Sequence, residues 1–247
     1  MNGVDVDPTI PLLHHIFDCF GALRDINRIY RAKGSLASRS VGARVLYGFT
    51  AELGNLLLDA ITFTPPPELQ DATHLYITVG NAILSTFPEI AAQTTKQSGK
   101  MLIHHTALKA SESMAIEALK MVLKAYPAGA WAVDATGALP LHWLTHNTAA
   151  TGELMTLLIN ANPKGPWVAD HGGYLPLHWA VNQSHPNVEV VASLLAVNPA
   201  GASKPCLRGT LPLHWCVNRD HVNNMVLKAL LQCYADGART FDDEGTT

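Results

Sequence analysis

The apolar positions of this chain recur at helical spacing. Val188, Val190, Val191, Leu194 and Leu195 line one face of a helix. The face repeats: Leu158, Leu194 and Leu230 share one slot and Ile159, Leu195 and Leu231 the next, each 36 residues after the last. Asn198 and Pro199 end this helix, because proline cannot continue it and pushes the preceding residue out of the α region. A shorter helix from about Pro176 to Asn182 precedes it, opening on a proline whose missing N–H would be unpaired there anyway. Ser184, His185, Pro186 and Asn187 separate the two, and Gly173 supplies a turn in which positive φ costs little. The unit from Gly173 to Arg208 therefore reads turn, short helix, longer helix, loop.

The same unit is written several times. G-x-L-P-L-H-W spans Gly137 to Trp143, Gly173 to Trp179 and Gly209 to Trp215, and Gly129, Gly165, Gly201 and Gly237 keep the same spacing of 36. Trp131 and Trp167 share one slot, and Trp143, Trp179 and Trp215 another. A period of this size means supersecondary units that bury their apolar faces only against their neighbours. A weaker copy begins at Gly99, with Met101, Leu102, Ile103 and His104 in the places of Leu139 to His142 at an offset of 38, and Asp242 to Thr247 starts a further copy. Upstream of Gly99 the period fades while helical patterning persists in three segments: Leu13 to Ile26, Val45 to Leu57, and Leu75 to Leu84 before Pro88. The expected organisation is a helical N-terminal region over 1–98, made of degenerate repeats and a cap, followed by repeats over 99–247, the last incomplete.

These motifs resemble the ankyrin repeat, D-x-x-G-x-T-P-L-H-x-A-A. Asp134, Gly137, Pro140, Leu141 and His142 match it, as do Asp170, Gly173, Pro176, Leu177, His178 and Ala180, and Gly209, Pro212, Leu213 and His214. The unit is longer than the family's ~33 residues, and Leu139, Leu175 and Leu211 stand where the family has a threonine that caps the first helix and bonds the histidine. The resemblance implies an all-α solenoid of helix-turn-helix pairs joined by turn loops, with an apolar row of leucines in place of the threonines. It also implies that the histidine ties neighbouring turns together and that Trp143, Trp179 and Trp215 occupy core positions.

Bulk properties narrow the function. With 48% hydrophobic and 15% charged residues the chain has the composition of a folded soluble protein, and a net charge of −3 offers no basic face for nucleic acid. No apolar run approaches the ~20 residues of a membrane span, and Met1 to Asp7 lack the features of a signal peptide. The expectation is an intracellular, cytoplasmic protein with no membrane or nucleic-acid partner. Cys19, Cys206, Cys216 and Cys233 form no C-x-x-C pair, and Cys216, in the slot of Leu144 and Ala180, reads as a small buried apolar group. His104, His142, His178 and His214 occupy one slot, but zinc ligands must converge to ~2.0–2.1 Å, whereas packed helices stand ~8–10 Å apart; hydrogen bonding to turn backbone is the better reading. Arg24, Arg28 and Arg31, with Lys33, Arg39 and Arg44, form a basic run that reads as a solvated face. No G-x-S-x-G, phosphate loop or H-E-x-x-H is present, so neither catalysis nor a cofactor or metal is expected.

By resemblance, the expected function is that of a non-catalytic scaffold binding another protein through a concave surface of turn tips and first helices. The candidate contact residues are those that differ at equivalent positions: Thr136, Ala138, His171, Tyr174, Arg208 and Thr210 in the turns, and His146, Asn147, Asn182, Gln183, Asn218 and Arg219 on the first helices. Tyr174 and Arg208 are the best anchors, since Tyr and Arg are enriched at hot spots. Two alternatives stand beside this reading: a regulatory or targeting segment of a larger protein, truncated at Thr247, and an enzyme whose site leaves no sequence motif.

Overall fold

The computed structural model describes residues 77, 78, 80–85, 87–95, 97–109, 114–218 and 222–241. The first two N-terminal helices, the basic run from Arg24 to Arg44, Arg219 and the partial copy from Asp242 lie outside the described residues. Among the described residues the protein is helical with no β-strand; a single isolated bridge joins Thr94 and Met101.

The helices come in pairs. They are α1 (Leu102–Lys109) and α2 (Ala115–Ala125), α3 (Pro140–Leu144) and α4 (Gly152–Ala161), α5 (Pro176–Val181) and α6 (Val188–Val197), and α7 (Pro212–Val217) and α8 (Asn224–Cys233). Proline stands at the first position of α3, α5 and α7. Thr151, Asn187 and Asn223 cap the second helices: Asn187 Oδ1 accepts from the N–H groups of Glu189 (3.0 Å) and Val190 (3.3 Å), and Asn223 Oδ1 from those of Met225 and Val226. The segment after each second helix is not the plain loop that the sequence predicts. Pro127–Trp131, Gly165–Trp167, Pro199–Ser203 and Ala235–Arg239 are short 3₁₀ helices. The first three carry a proline in their opening two positions; Pro127 and Pro199, which stop the preceding helix, also suit the start of the next, whereas Pro166 follows the helix-stopping Pro163 by three residues.

Each first helix packs on the next (α1 on α3, α3 on α5, α5 on α7) and each second helix likewise (α2 on α4, α4 on α6, α6 on α8), while partners within a pair also touch. Leu141, Leu177 and Leu213, with Leu158, Leu194 and Leu230, are buried in one continuous core, where each contributes roughly 1.5–3 kcal/mol.

Backbone and side-chain bonds join equivalent places at each step. Between turns, Ala135 N–H donates to Ser98 O (3.0 Å), His171 N–H to Thr136 O (2.9 Å) and Leu207 N–H to Gly172 O (3.1 Å). Between loops, Asn162 Nδ2 donates to Ala130 O (3.0 Å) and Asn198 Nδ2 to Pro166 O (2.9 Å). Between helix starts, Asn187 Nδ2 donates to Ala150 O (2.9 Å) and Asn223 Nδ2 to Pro186 O (3.4 Å).

Candidate functional site

The leucines in the threonine slot are buried and offer no acceptor, so half of the usual cap is missing. The histidine three residues on supplies the other half. His104 Nδ1 accepts from Met101 N–H (3.0 Å), His142 Nδ1 from Leu139 N–H (3.0 Å), His178 Nδ1 from Leu175 N–H (3.0 Å) and His214 Nδ1 from Leu211 N–H (3.2 Å). An Nδ1 that accepts leaves the proton on Nε2. That nitrogen reaches forward to the next turn segment: His104 to Ala132 O (3.1 Å), His142 to Tyr174 O (3.1 Å) and His214 to Thr240 O (3.2 Å). For His178 the carbonyls of Thr210 and Lys204 lie close enough to act on its charge, yet Nε2 completes a hydrogen bond with neither. Burial lowers the pKa of His104, and lowers His142 and His178 to about 4, against the smaller opposing pull of nearby carbonyls and carboxylates. His104 and His142 are thus neutral fasteners between successive turns, and among the described residues no group of three or more His, Cys, Asp or Glu is placed to hold a metal.

The tryptophans of the first helices are tied down as well. Trp143 Nε1 donates to Asp134 Oδ2 (2.9 Å) and Trp179 Nε1 to Asp170 Oδ2 (3.0 Å). The other carboxylate oxygen knits the turn: Asp134 Oδ1 accepts from the Thr136 and Ala138 N–H groups (2.8 and 3.1 Å) and the Thr136 hydroxyl (2.6 Å), and Asp170 Oδ1 from the Gly172 and Tyr174 N–H groups (2.8 and 2.9 Å). Burial works to raise the Asp134 pKa, but the Thr136 hydroxyl and these N–H donors outweigh it and hold the carboxyl below its ordinary value. These rings are not the enclosed core residues that the resemblance implies: each is only partly buried, at the edge of the packing.

Together they make a row of rings along the first helices. Lys100 Nζ stands 3.4 Å from the Trp143 ring centroid, a cation–π contact of about 0.5–2 kcal/mol. Trp143 meets Trp179 edge-on at 5.1 Å, His146 meets Trp179 at 5.0 Å, and Tyr174 meets Trp215 at 6.1 Å. Gln183 Nε2 donates to Trp179 O (2.8 Å) and lies 3.0 Å from His146 Nδ1. Such edge-to-face pairs fix ring orientation as well as burying area.

The candidate contact residues divide. Thr136, His146, His171, Arg208 and Asn218 are exposed, and Tyr174, Asn182, Gln183 and Thr210 partly so. Ala138 and Asn147 are corrections. Ala138 is fully buried, its N–H held by Asp134, and Asn147 is buried with Nδ2 donating to Ala107 O (3.0 Å); neither can meet a partner. Three residues outside the candidate set are accessible as well: Trp131 and Trp167, which are 48% and 50% exposed on the 3₁₀ helices, and Lys100, whose ammonium lies over the Trp143 ring. The sequence repeats the two tryptophans in one slot but carries no sign that the slot is exposed.

No described helix is long and apolar enough to cross a membrane. No protein-family model matches this chain, and no curated protein is similar enough in sequence to match it.

Proposed function

We propose that the chain is an ankyrin-like helical repeat solenoid that binds another protein through the turn tips and the outward side of its first helices. The observation that carries this is the division of labour between slots. The groups that join successive units (histidine, aspartate, asparagine, turn glycine) are repeated and mostly enclosed. The positions beside them that reach the surface vary: exposed Thr136, half-buried Gly172 and exposed Arg208 in one slot, and exposed His146 where half-buried Asn182 and exposed Asn218 stand in another. A frame held this firmly loses little conformational freedom on docking, and its rings offer rigid, amphipathic contact area.

Tyr174 and Arg208 remain the anchors of this reading. With the full native chain as reference bait, a Tyr174→Ala/Arg208→Ala double variant is expected to lose about tenfold or more in affinity for a bound protein, with an unchanged circular dichroism spectrum and unfolding temperature. A Glu117→Ala variant, at an exposed position of α2 outside the candidate set, should bind as the native chain does. Equal binding by all three would reject this surface.

A further inference from the structure

One edge of the stack carries exposed rings. The 3₁₀ helices that follow the second helices stand side by side there: Pro127–Trp131 packs on α3 and α4, Gly165–Trp167 on α5, Pro199–Ser203 on α7 and α8, and Ala235–Arg239 closes on α8. Asn162 and Asn198 tie each segment to the next through Ala130 O and Pro166 O, the carbonyls that precede Trp131 and Trp167. The two tryptophans therefore hold equivalent places one unit apart on this edge, and each is about half exposed. Trp131 Nε1 donates to Ala161 O (3.2 Å), so the nitrogen of this ring faces the protein and the part left in solvent is ring carbon. Val133 and Phe241, two residues beyond the first and last of these segments, are exposed as well.

The same edge is basic. Lys164 caps the 3₁₀ helix of Trp167, Lys204 caps the end of the next and Arg239 ends the last; all three are exposed, as is Lys124 in the last turn of α2. Among the described residues of these segments the exposed acids are Asp236, on the segment of Arg239, and Glu89, on the 3₁₀ helix Pro88–Ala92 that packs on α1 and α2. They stand at the two ends of the row. Asp134 and Asp170 follow the rings by three residues, with their oxygens held by the turns and by Trp143 and Trp179. The opposite ends of the second helices are acidic, with exposed Glu117, Glu153 and Glu189 in the first turns of α2, α4 and α6. A net charge of −3 for the whole chain conceals this segregation.

We propose that this edge docks the protein on the surface of an anionic lipid bilayer, with Trp131 and Trp167 at headgroup level and Lys124, Lys164, Lys204 and Arg239 against the anionic headgroups. Tryptophan is enriched at the membrane–water interface. Basic residues near an anionic leaflet add an attraction that falls off within a Debye length. Both rings sit on one rigid row, so a flat surface meets them together. An acidic peptide or a nucleic acid would meet the same cations, but Trp131 presents hydrocarbon and no free N–H, which suits the boundary between headgroups and acyl chains. Net charge and the lack of an apolar span argue against a membrane partner at the level of sequence, and neither registers a contact that lies on the bilayer. None of the residues proposed to hold a protein partner takes part.

The test sediments the full chain with vesicles of phosphatidylcholine alone, or of phosphatidylcholine with about 30% phosphatidylserine, at roughly 0.1 M and roughly 0.5 M salt. The native chain should bind the anionic vesicles about tenfold or more tightly than the neutral ones, and should lose most of that preference at the higher salt. Lys164→Glu/Lys204→Glu, two exposed changes that leave the basic run from Arg24 to Arg44 intact, should weaken binding about tenfold or more. Trp131→Ser/Trp167→Ser should weaken it about fivefold or more. Should that variant fail to fold, brominated lipid in the anionic vesicles is expected to quench the native fluorescence, and the quenched part is expected to shrink in Trp167→Phe. Glu153→Gln, at the acidic end, should bind as the native chain does. The proposal is overturned if both kinds of vesicle bind alike or not at all, or if a polyglutamate peptide or single-stranded oligothymidylate is bound in place of vesicles. A folded Lys164→Glu/Lys204→Glu variant that binds as the native chain does would overturn it too, since the attraction would then lie elsewhere in the chain.

Discussion

Trp143, Trp179 and Trp215 are one residue type in one slot, and only the first two have an acceptor for the indole N–H. Replacing tryptophan by phenylalanine removes that N–H and a similar amount of ring surface at all three places. At Trp143 and Trp179 it also leaves a carboxylate oxygen without its donor, whereas at Trp215 it removes a donor that had no partner. Unpairing such a group costs roughly 1–3 kcal/mol. Urea unfolding should therefore show Trp143→Phe and Trp179→Phe to be less stable than Trp215→Phe by about 1–2 kcal/mol. Equal losses at the three sites would mean that the Asp–Trp bonds contribute nothing.

At the scale of the element, the turn that opens each unit is set by one glycine. Gly99, Gly137, Gly173 and Gly209 all have positive φ, between 64° and 79°, a region that costs other residues about 1–2 kcal/mol. Space is short as well: a Cβ on Gly137 would lie 2.9 Å from His171 N, the atom that donates to Thr136 O in the turn-to-turn bond. Gly137→Ala should thus cost about 2 kcal/mol or more. Gly129→Ala should cost less than about 1 kcal/mol, since Gly129 has ordinary φ and the nearest atom is the Tyr126 ring at 3.1 Å; thermal unfolding of the two variants decides the point. The legibility of elements in the sequence obeys the same logic. Gly173, Pro176 and the valine and leucine face of α6 are local signals, and they place turn, short helix and long helix to within a residue. Pro199 is legible as a stop but not as the start of a 3₁₀ helix, because the same ring chemistry suits both. The candidate surface is less legible. Differences between equivalent slots reveal which positions are free to vary, but not which are exposed, so Ala138 and Asn147 join the candidates although one is enclosed and the other bonds Ala107. The Asp134–Trp143 bond spans nine positions of sequence and needs the turn's curvature to close.

For the whole molecule, repetition multiplies whatever one slot does, and the histidine slot makes that multiplication pH-dependent. His142 and His178 are buried and neutral, with pKa values near 4 because burial penalises the charged form; Asp170, which pulls both upward, and Asp134, which also acts on His142, do not offset it. In the unfolded chain the same side chains titrate near 6.5. Between these values the unfolded chain binds more protons than the folded one, so stability is complete above pH 6.5, falls as pH drops through 6.5, and levels off near pH 4. Each histidine accounts for about 3 kcal/mol over the whole window, of which about 2 kcal/mol is lost by pH 5. His104, shifted in the same direction by burial, adds to the loss. Two such terms together, about 4 kcal/mol at pH 5, are a large part of the 5–15 kcal/mol that holds an ordinary domain folded. Denaturant titrations of the full chain at pH 7 and pH 5 should differ by that order, and the imidazole resonances of His142 and His178 should stay in the neutral position at pH 5 until the protein unfolds. Equal stability at the two pH values, or a folded-state titration of either histidine near 6.5, would show that these rings are not the buried, neutral groups that their enclosure makes them.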